Sequence, residues 1–278
     1  MGMFDDFNQL NLFKLNAYQE LDNRLQEIDK AAAKVVADEI SKLRHTKEGE
    51  VLESASIISG LTAINKKIAF EMANIPQLEK YIEDIHEVER QSLFLHGKYN
   101  GVSSTPPALS QQLTEMINSM ELIVTESYKM AITPALRNVF IRTVAFGLNI
   151  EQVTAELEEW VKQSGQIANV AVPSFSRDIG GIARDTVFQV TNTVNSRIRE
   201  VTGAKYFLYV GGKVQKSRPL CIHLVDGKKI WEFEEMPALI AKYPDGLYNG
   251  LNAANFADGR GWRCLHDCVP VVNKDIEI

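Results

Sequence analysis

SRDIGGIARDTVFQVTNTVNSRIREVTGAKYFLYVGG, Ser176–Gly212, contains the point at which the chain changes its structural period. Ile179, Ile182, Ala183, Val190, Val194, Ile198 and Val201 fall on one face at helical spacing, which predicts a long amphipathic helix from about Ser176 to Val201, ended by Gly203. The next stretch, KYFLYV (Lys205–Val210), crowds aromatic and branched side chains together and meets Gly211 and Gly212, which predicts a short buried strand. Further on, CIHLV, the pair Asp226 and Gly227, and KKIW read as strand, tight turn and strand. A small α+β cap built on the last long helix is therefore expected at the C-terminal end.

Upstream, helical spacing dominates. Tyr18, Leu21, Leu25, Ile28, Ala32 and Val35 alternate steps of three and four and continue loosely to Ile40 and Leu43. A second set, Leu52, Ala55, Ile58, Thr62, Asn65, Ile68 and Met72, follows Gly49 and ends before Pro76, and a third runs from Leu78 through Ile82, Ile85 and Val88 towards Leu95. The Gly, Asn, Ser and Pro residues of 96–107 predict a loop or hinge. Leu109, Leu113, Met116, Ile117, Met120 and Val124 then share a face, and Thr133 with Pro134 reads as an N-cap followed by first-turn proline. Asn149 and Gln152 read as a capping box ahead of Val153, Leu157, Trp160 and Val161, with Gly165 as the stop. The predicted fold is mainly α: a multi-helix body over residues 1–172, with the hinge near 96–107, and an α+β domain over 173–278.

Composition narrows the classes of function. A chain of 278 residues, 45% hydrophobic, buries a sizeable core, and its net charge of −6 opposes long-range attraction to nucleic acid or an anionic membrane. The charge is uneven: residues 1–172 hold 16 Lys and Arg against 24 Asp and Glu, whereas 177–229 hold ten against four. Lys213, Lys216, Arg218, Lys228 and Lys229 are the candidates for a basic rim able to touch a phosphate backbone without reading sequence. The acidic start and the lack of a long apolar run predict neither a secretory signal nor a membrane span. Three cysteines are too few for a disulfide framework.

All three cysteines lie in the last fifth of the chain: Cys221 with His223 two residues on, then Cys264, His266 and Cys268. In extended segments, two-residue spacing points all five side chains to one face, and zinc takes four such ligands. Packing of small apolar groups explains the same gathering, since cysteine is among the most buried residues. A Cys221–Cys264 disulfide is a further alternative, as is a thiol nucleophile in the order Cys221, His266, Asp267. Against the last, neighbours on an extended chain face opposite ways, so Asp267 is badly placed to orient His266. Glu232-Phe233-Glu234 suggests the paired glutamates of ADP-ribosyltransferases, but without companion motifs it reads as a solvated turn. The long connection after Trp231 needs its far end held, so Cys221 and Cys264 are expected to lie close together, with His223 or His266 adjacent.

An ordered series of motifs over the last hundred residues resembles the phage Mu F-like minor head protein family, also called head morphogenesis or minor capsid proteins. Ala183-Arg184-Asp185 resembles that family's Ala-Arg-Thr-Glu, and Gly203-Ala204-Lys205-Tyr206 leads into a strand as it does there. Ser217-Arg218-Pro219-Leu220-Cys221 resembles Thr-Arg-Pro-x-Cys, and Asp226-Gly227-Lys228 resembles a small-Gly-Lys turn. Trp262-Arg263-Cys264-Leu265-His266 with Val269-Pro270-Val271 resembles the closing Cys-Arg-His and Pro-Val. Thr186, Val214 and Leu265 depart from the family's Glu, Asp and Arg. The resemblance implies a low-copy, non-enzymatic virion protein, made in the bacterial cytoplasm and acting near the portal in head assembly or genome delivery. Portal or major capsid proteins would be its partners, with packaged DNA touched non-specifically. The alternative is a virion-carried enzyme dependent on a metal or a thiol.

Overall fold

A computed structural model describes residues 2–42, 54–73, 75–102, 107–123, 128–146, 148–162, 166–213, 217–243 and 265–277. The class is the one expected, mainly α with a small C-terminal α+β region. In chain order the helices are α1 (Met3–Ser41), α2 (Ser54–Ala73), α3 (Pro76–Asn100), α4 (Pro107–Leu122), α5 (Tyr128–Ala145) and α6 (Ile150–Lys162). A two-residue hairpin of β1 (Gln166–Ile167) and β2 (Val170–Ala171) precedes α7 (Gly180–Thr202). The cap follows as β3 (Tyr206–Gly211), α8 (Pro219–Gly227), β4 (Ile230–Glu232), α9 (Met236–Lys242) and β5 (His266–Val271).

Contacts divide the chain into two compact units, neither of them one continuous segment. One holds 1–19, 80–119 and 183–278; the other holds 20–79 and 120–182. These units do not follow a boundary at residue 172, because the first helical turns and α3 belong with the cap.

Helix α1 begins fifteen residues before its predicted stripe. Phe7, Leu10 and Ala17 are buried, and so are Asn11 and Lys14 on the same side, so two polar residues at core positions hide the apolar rhythm. In α2 the predicted face holds at Ile68 but fails at Ile58 and Thr62. Gly60, Ile64 and Ile68 point inward, whereas Ile58 and Thr62 are exposed. Gly60 decides this rotation: a Cβ there would stand 2.6 Å from Cζ of Phe140 on α5, so the bare glycine admits the ring. The hinge near 96–107 also starts later than expected. His96–Asn100 complete α3, and Gly101 ends it with φ of +69°. Thr133 and Pro134 do not start a helix but lie inside α5, where burial of Ile132, Leu136, Val139 and Phe140 outweighs one lost amide donor.

The capping reading of α6 holds on its first half: the Gln152 amide donates to Asn149 Oδ1 at 3.2 Å, while the Gln152 side chain turns to Glu156. CIHLV is helical, not a strand. Pro219 sits in the first turn after extended Arg218, Leu220, Cys221, Leu224 and Val225 are buried at helical spacing, and Lys228 in left-handed conformation closes the end. The expected long connection after Trp231 contains α9; Gly165 and residues 244–264 lie outside the described residues.

Candidate functional site

The cap sheet has the order β4-β3-β5, antiparallel throughout, with Tyr209 opposite Cys268 and Val210 opposite Asp267. Alternation along these strands separates two faces. Phe207, Tyr209 and Cys268 join Leu220, Cys221, Leu224 and Val225 of α8, together with Trp231 and Met236, in one apolar cluster. Tyr209 Oη donates to Cys221 Sγ at 3.3 Å, and the His266 ring stacks on Tyr209 with centroids 5.3 Å apart. His223 lies against the rings of Trp231 and Tyr243, at 5.3 and 5.1 Å.

The predicted metal set is thus only partly assembled. Cys221 and His223 are on a helix, so the shared extended face required for five ligands does not form; Cys264, and with it the expected Cys221–Cys264 contact and the alternative of a disulfide there, lies outside the described residues. Among the described residues no group of three or more His, Cys, Asp or Glu side chains is arranged to hold a metal ion. Cys221 and Cys268 are buried in the cluster, 8% and 1% exposed.

Asp267 faces the other way from His266, and it is a member of a network that sequence reasoning missed. Lys14 of α1, fully buried, forms an ion pair with Asp267 Oδ2 and donates to Thr191 Oγ1 of α7 at 3.1 Å. Thr191 in turn donates to Asp267 Oδ1 at 2.8 Å, and Asn11 Nδ2 donates to Oδ2 at 3.1 Å. The Lys14 ammonium also stands 4.2 Å from the centre of the Phe188 ring. Every carboxylate oxygen of Asp267 is therefore engaged in holding α1, α7 and β5 together, not in orienting an imidazole.

Among the described residues, the outer edge of β5 meets a side-chain amide in place of another strand. Asn100 accepts from the Val272 amide at 3.0 Å and donates to the Pro270 carbonyl at 2.9 Å; at the start of the strand, on its β3-facing side, Asn11 donates to the Leu265 carbonyl at 3.1 Å. Buried His96 steadies Asn100: its Nε2 donates to Asn195 Oδ1 at 2.8 Å, and its Nδ1 accepts from Asn100 Nδ2 at 2.9 Å. Burial pushes His96 down to about 4, partly offset by the Asn195 hydrogen bond, so the ring is neutral near pH 7. Asn100 lies in the stretch that reads as a loop, and Asn11 in one without a motif; nothing local in either marks a sheet clamp.

Of the predicted basic rim, Lys213 is tied to Asp226 at 2.5 Å, Lys229 lies 3.8 Å over the Trp231 ring, and Lys228 lies 5.8 Å from that of Phe4. Arg218 is the half-buried residue before α8, and Lys216 lies outside the described residues. Asp226 thus cancels part of the charge at this end of α8. Glu232 and Glu235 reciprocally cap the short turn Phe233–Glu235, and Glu232 pairs with Lys274 at 2.8 Å, which gives the Glu-rich segment a structural task. Among the described residues, no helix is long and apolar enough to cross a membrane. No protein-family model, no curated protein and no solved structure matches the chain.

Proposed function

We propose that the chain is a non-enzymatic minor head protein of a tailed phage, acting near the portal in head assembly or genome delivery. The observation that carries this reading is the placement of the motif series within one unit. Ala183-Arg184-Asp185 stands on α7, Arg218-Pro219 opens α8, Asp226-Gly227-Lys228 closes it, and Val269-Pro270-Val271 is in β5. Among the described residues of that segment, the Cys221 and Cys268 thiols lie in the apolar cluster and Asp267 is bound to Lys14. A virion-carried thiol enzyme needs an accessible nucleophile, so this burial weighs against the alternative.

Portal or major capsid proteins are the partners in this reading. Packaged DNA is a weak, non-specific contact of the Lys213, Lys216, Arg218, Lys228 and Lys229 region, with affinity that falls steeply as salt rises. Mass spectrometry of proheads, full virions and DNA-emptied particles tests the proposal. A few copies per particle are expected, and absence from all three particle types would sink it.

A further inference from the structure

Helix α2 has more apolar surface than its packing uses. Only Lys66, Lys67 and Glu71 among its twenty residues are charged, whereas α1 carries twelve charged residues in thirty-nine. Its inward face is Gly60, Ile64 and Ile68, yet Ile58 and Phe70 on the opposite side are 72% and 60% exposed. Ile58, Thr62, Lys66 and Phe70 recur at four-residue steps, so they form one outward stripe. Lys66 keeps one charge on that stripe, while Ile58 and Phe70 leave large apolar side chains in water on a helix otherwise short of charge.

Beside the stripe, α1 and α2 enclose a groove of about 670 Å³. Its apolar lining is Ala31, Val35, Ala63 and Phe70, and Lys34, Lys42, Lys66 and Lys67 stand around it with Asp38 and Glu39. Lys42 is held by Glu39 at 2.5 Å and Lys67 by Glu71 at 2.6 Å, so the exposed Lys34 and Lys66 stand against the single further acid Asp38 and leave the rim net positive. This basic rim lies in a chain of net charge −6, within a first 172 residues where acidic side chains outnumber basic ones.

We infer that this groove is a docking site for an amphipathic helix of another protein, one with an apolar stripe flanked by acidic residues. The partner's stripe covers Phe70 and the alanine-lined floor, and its carboxylates meet Lys34 and Lys66. The inference stands apart from the virion reading, since it identifies the partner by chemistry alone.

The test uses full-length protein and a fluorescein-labelled helical peptide of about twenty residues, with leucines in one stripe and glutamates on both flanks. Three competitors accompany it: the same stripe flanked by lysines, the glutamate peptide with its stripe scrambled, and a short DNA duplex. Saturable binding of the first peptide is expected, at least about tenfold tighter than either altered peptide. Phe70→Ser and the pair Lys34→Glu, Lys66→Glu should each weaken it about tenfold, while Lys213→Glu leaves it unchanged. Because these side chains are exposed, unchanged circular dichroism melts verify folding. No saturable binding, equal binding by the variants, or displacement by duplex DNA as effective as by the peptide would overturn the inference. So would a dimer of the protein that the Phe70→Ser variant abolishes, since the groove would then be filled by a second copy.

Discussion

On one face of the β4-β3-β5 sheet, Tyr209, Cys221 and Cys268 fill an apolar cluster beneath α8; on the other, Lys14, Asp267, Thr191 and Asn11 bury an ion pair within hydrogen bonds. Both faces exclude water, but they respond differently to loss of a side chain. A missing thiol leaves a small void, and its cost scales with the lost contacts. A missing carboxylate leaves a buried ammonium without a counter-charge. The face whose residues attract attention in the sequence is therefore the more tolerant, and the face without a motif holds the cap together.

The sharpest test of that contrast is Asp267→Ala, which should destabilise the protein by about 3–5 kcal/mol in urea unfolding. Replacing both partners, Lys14→Met with Asp267→Leu, should recover most of the loss, because the burial of charge disappears with the pair. If Asp267→Ala costs no more than Cys268→Ala, the two faces do not differ as claimed.

A second test uses pH. His96 in the folded protein titrates near 4, below its unfolded value of 6.5, so between these values the unfolded chain binds more protons. Its contribution is present in full above pH 6.5 and is lost as pH falls towards 4, about 3 kcal/mol in all. Urea midpoints should decline across that window, and His96→Gln should flatten the decline. Asp6 acts elsewhere: hydrogen bonds from Lys98 and then Tyr99 hold its carboxyl below the ordinary 3.8, so its share is lost only as pH falls below that value. A decline confined to below pH 4 would show that His96 does not brace the edge of β5.

Next in size is Gly211→Ala. Gly211 has φ of +136°, and a Cβ there would stand 2.7 Å from the Leu265 carbonyl oxygen, at the end of the β3–β5 pairing. A loss of about 2–3 kcal/mol is expected by thermal or urea melts, from backbone strain and a clash with backbone. Cys221→Ala should cost about 1–2 kcal/mol, the ordinary range for a small buried side chain. Lys213→Ala, which removes only an exposed pair with Asp226, should stay within about 0.5 kcal/mol. A Cys221→Ala loss as large as that of Asp267→Ala would mean that the apolar face holds more than packing.

Some of this architecture is legible from local pattern. The face of α7 through Ala183, Val190, Val194 and Ile198, the strand β3 and the Asn149 cap are all as the residues predict. Other elements mislead for identifiable reasons. CIHLV is rich in strand-forming residues, yet Pro219 starts a helix in which Leu220, Cys221, Leu224 and Val225 share the buried side. In α2, two apolar sides compete, and only the fit of Phe140 against Gly60 selects one of them. At the candidate site, His266 and Cys268 are noticeable by residue type, whereas Lys14 and Asn11 are single polar residues in a long helix, indistinguishable from a solvated face until their partners are known.

The sequence by itself determined what short-range physics sets: where helical spacing yields to strand, that Gly203 ends α7, and that Asp267 and His266, as neighbours on a strand, face apart. Tertiary structure alone decided the rest. Lys14 meets Asp267 across 253 positions, and Asn100 reaches the edge of β5 across 170. Such pairings depend on how elements pack, because burial energy is non-directional and only the assembled fold chooses which polar groups share an interior site.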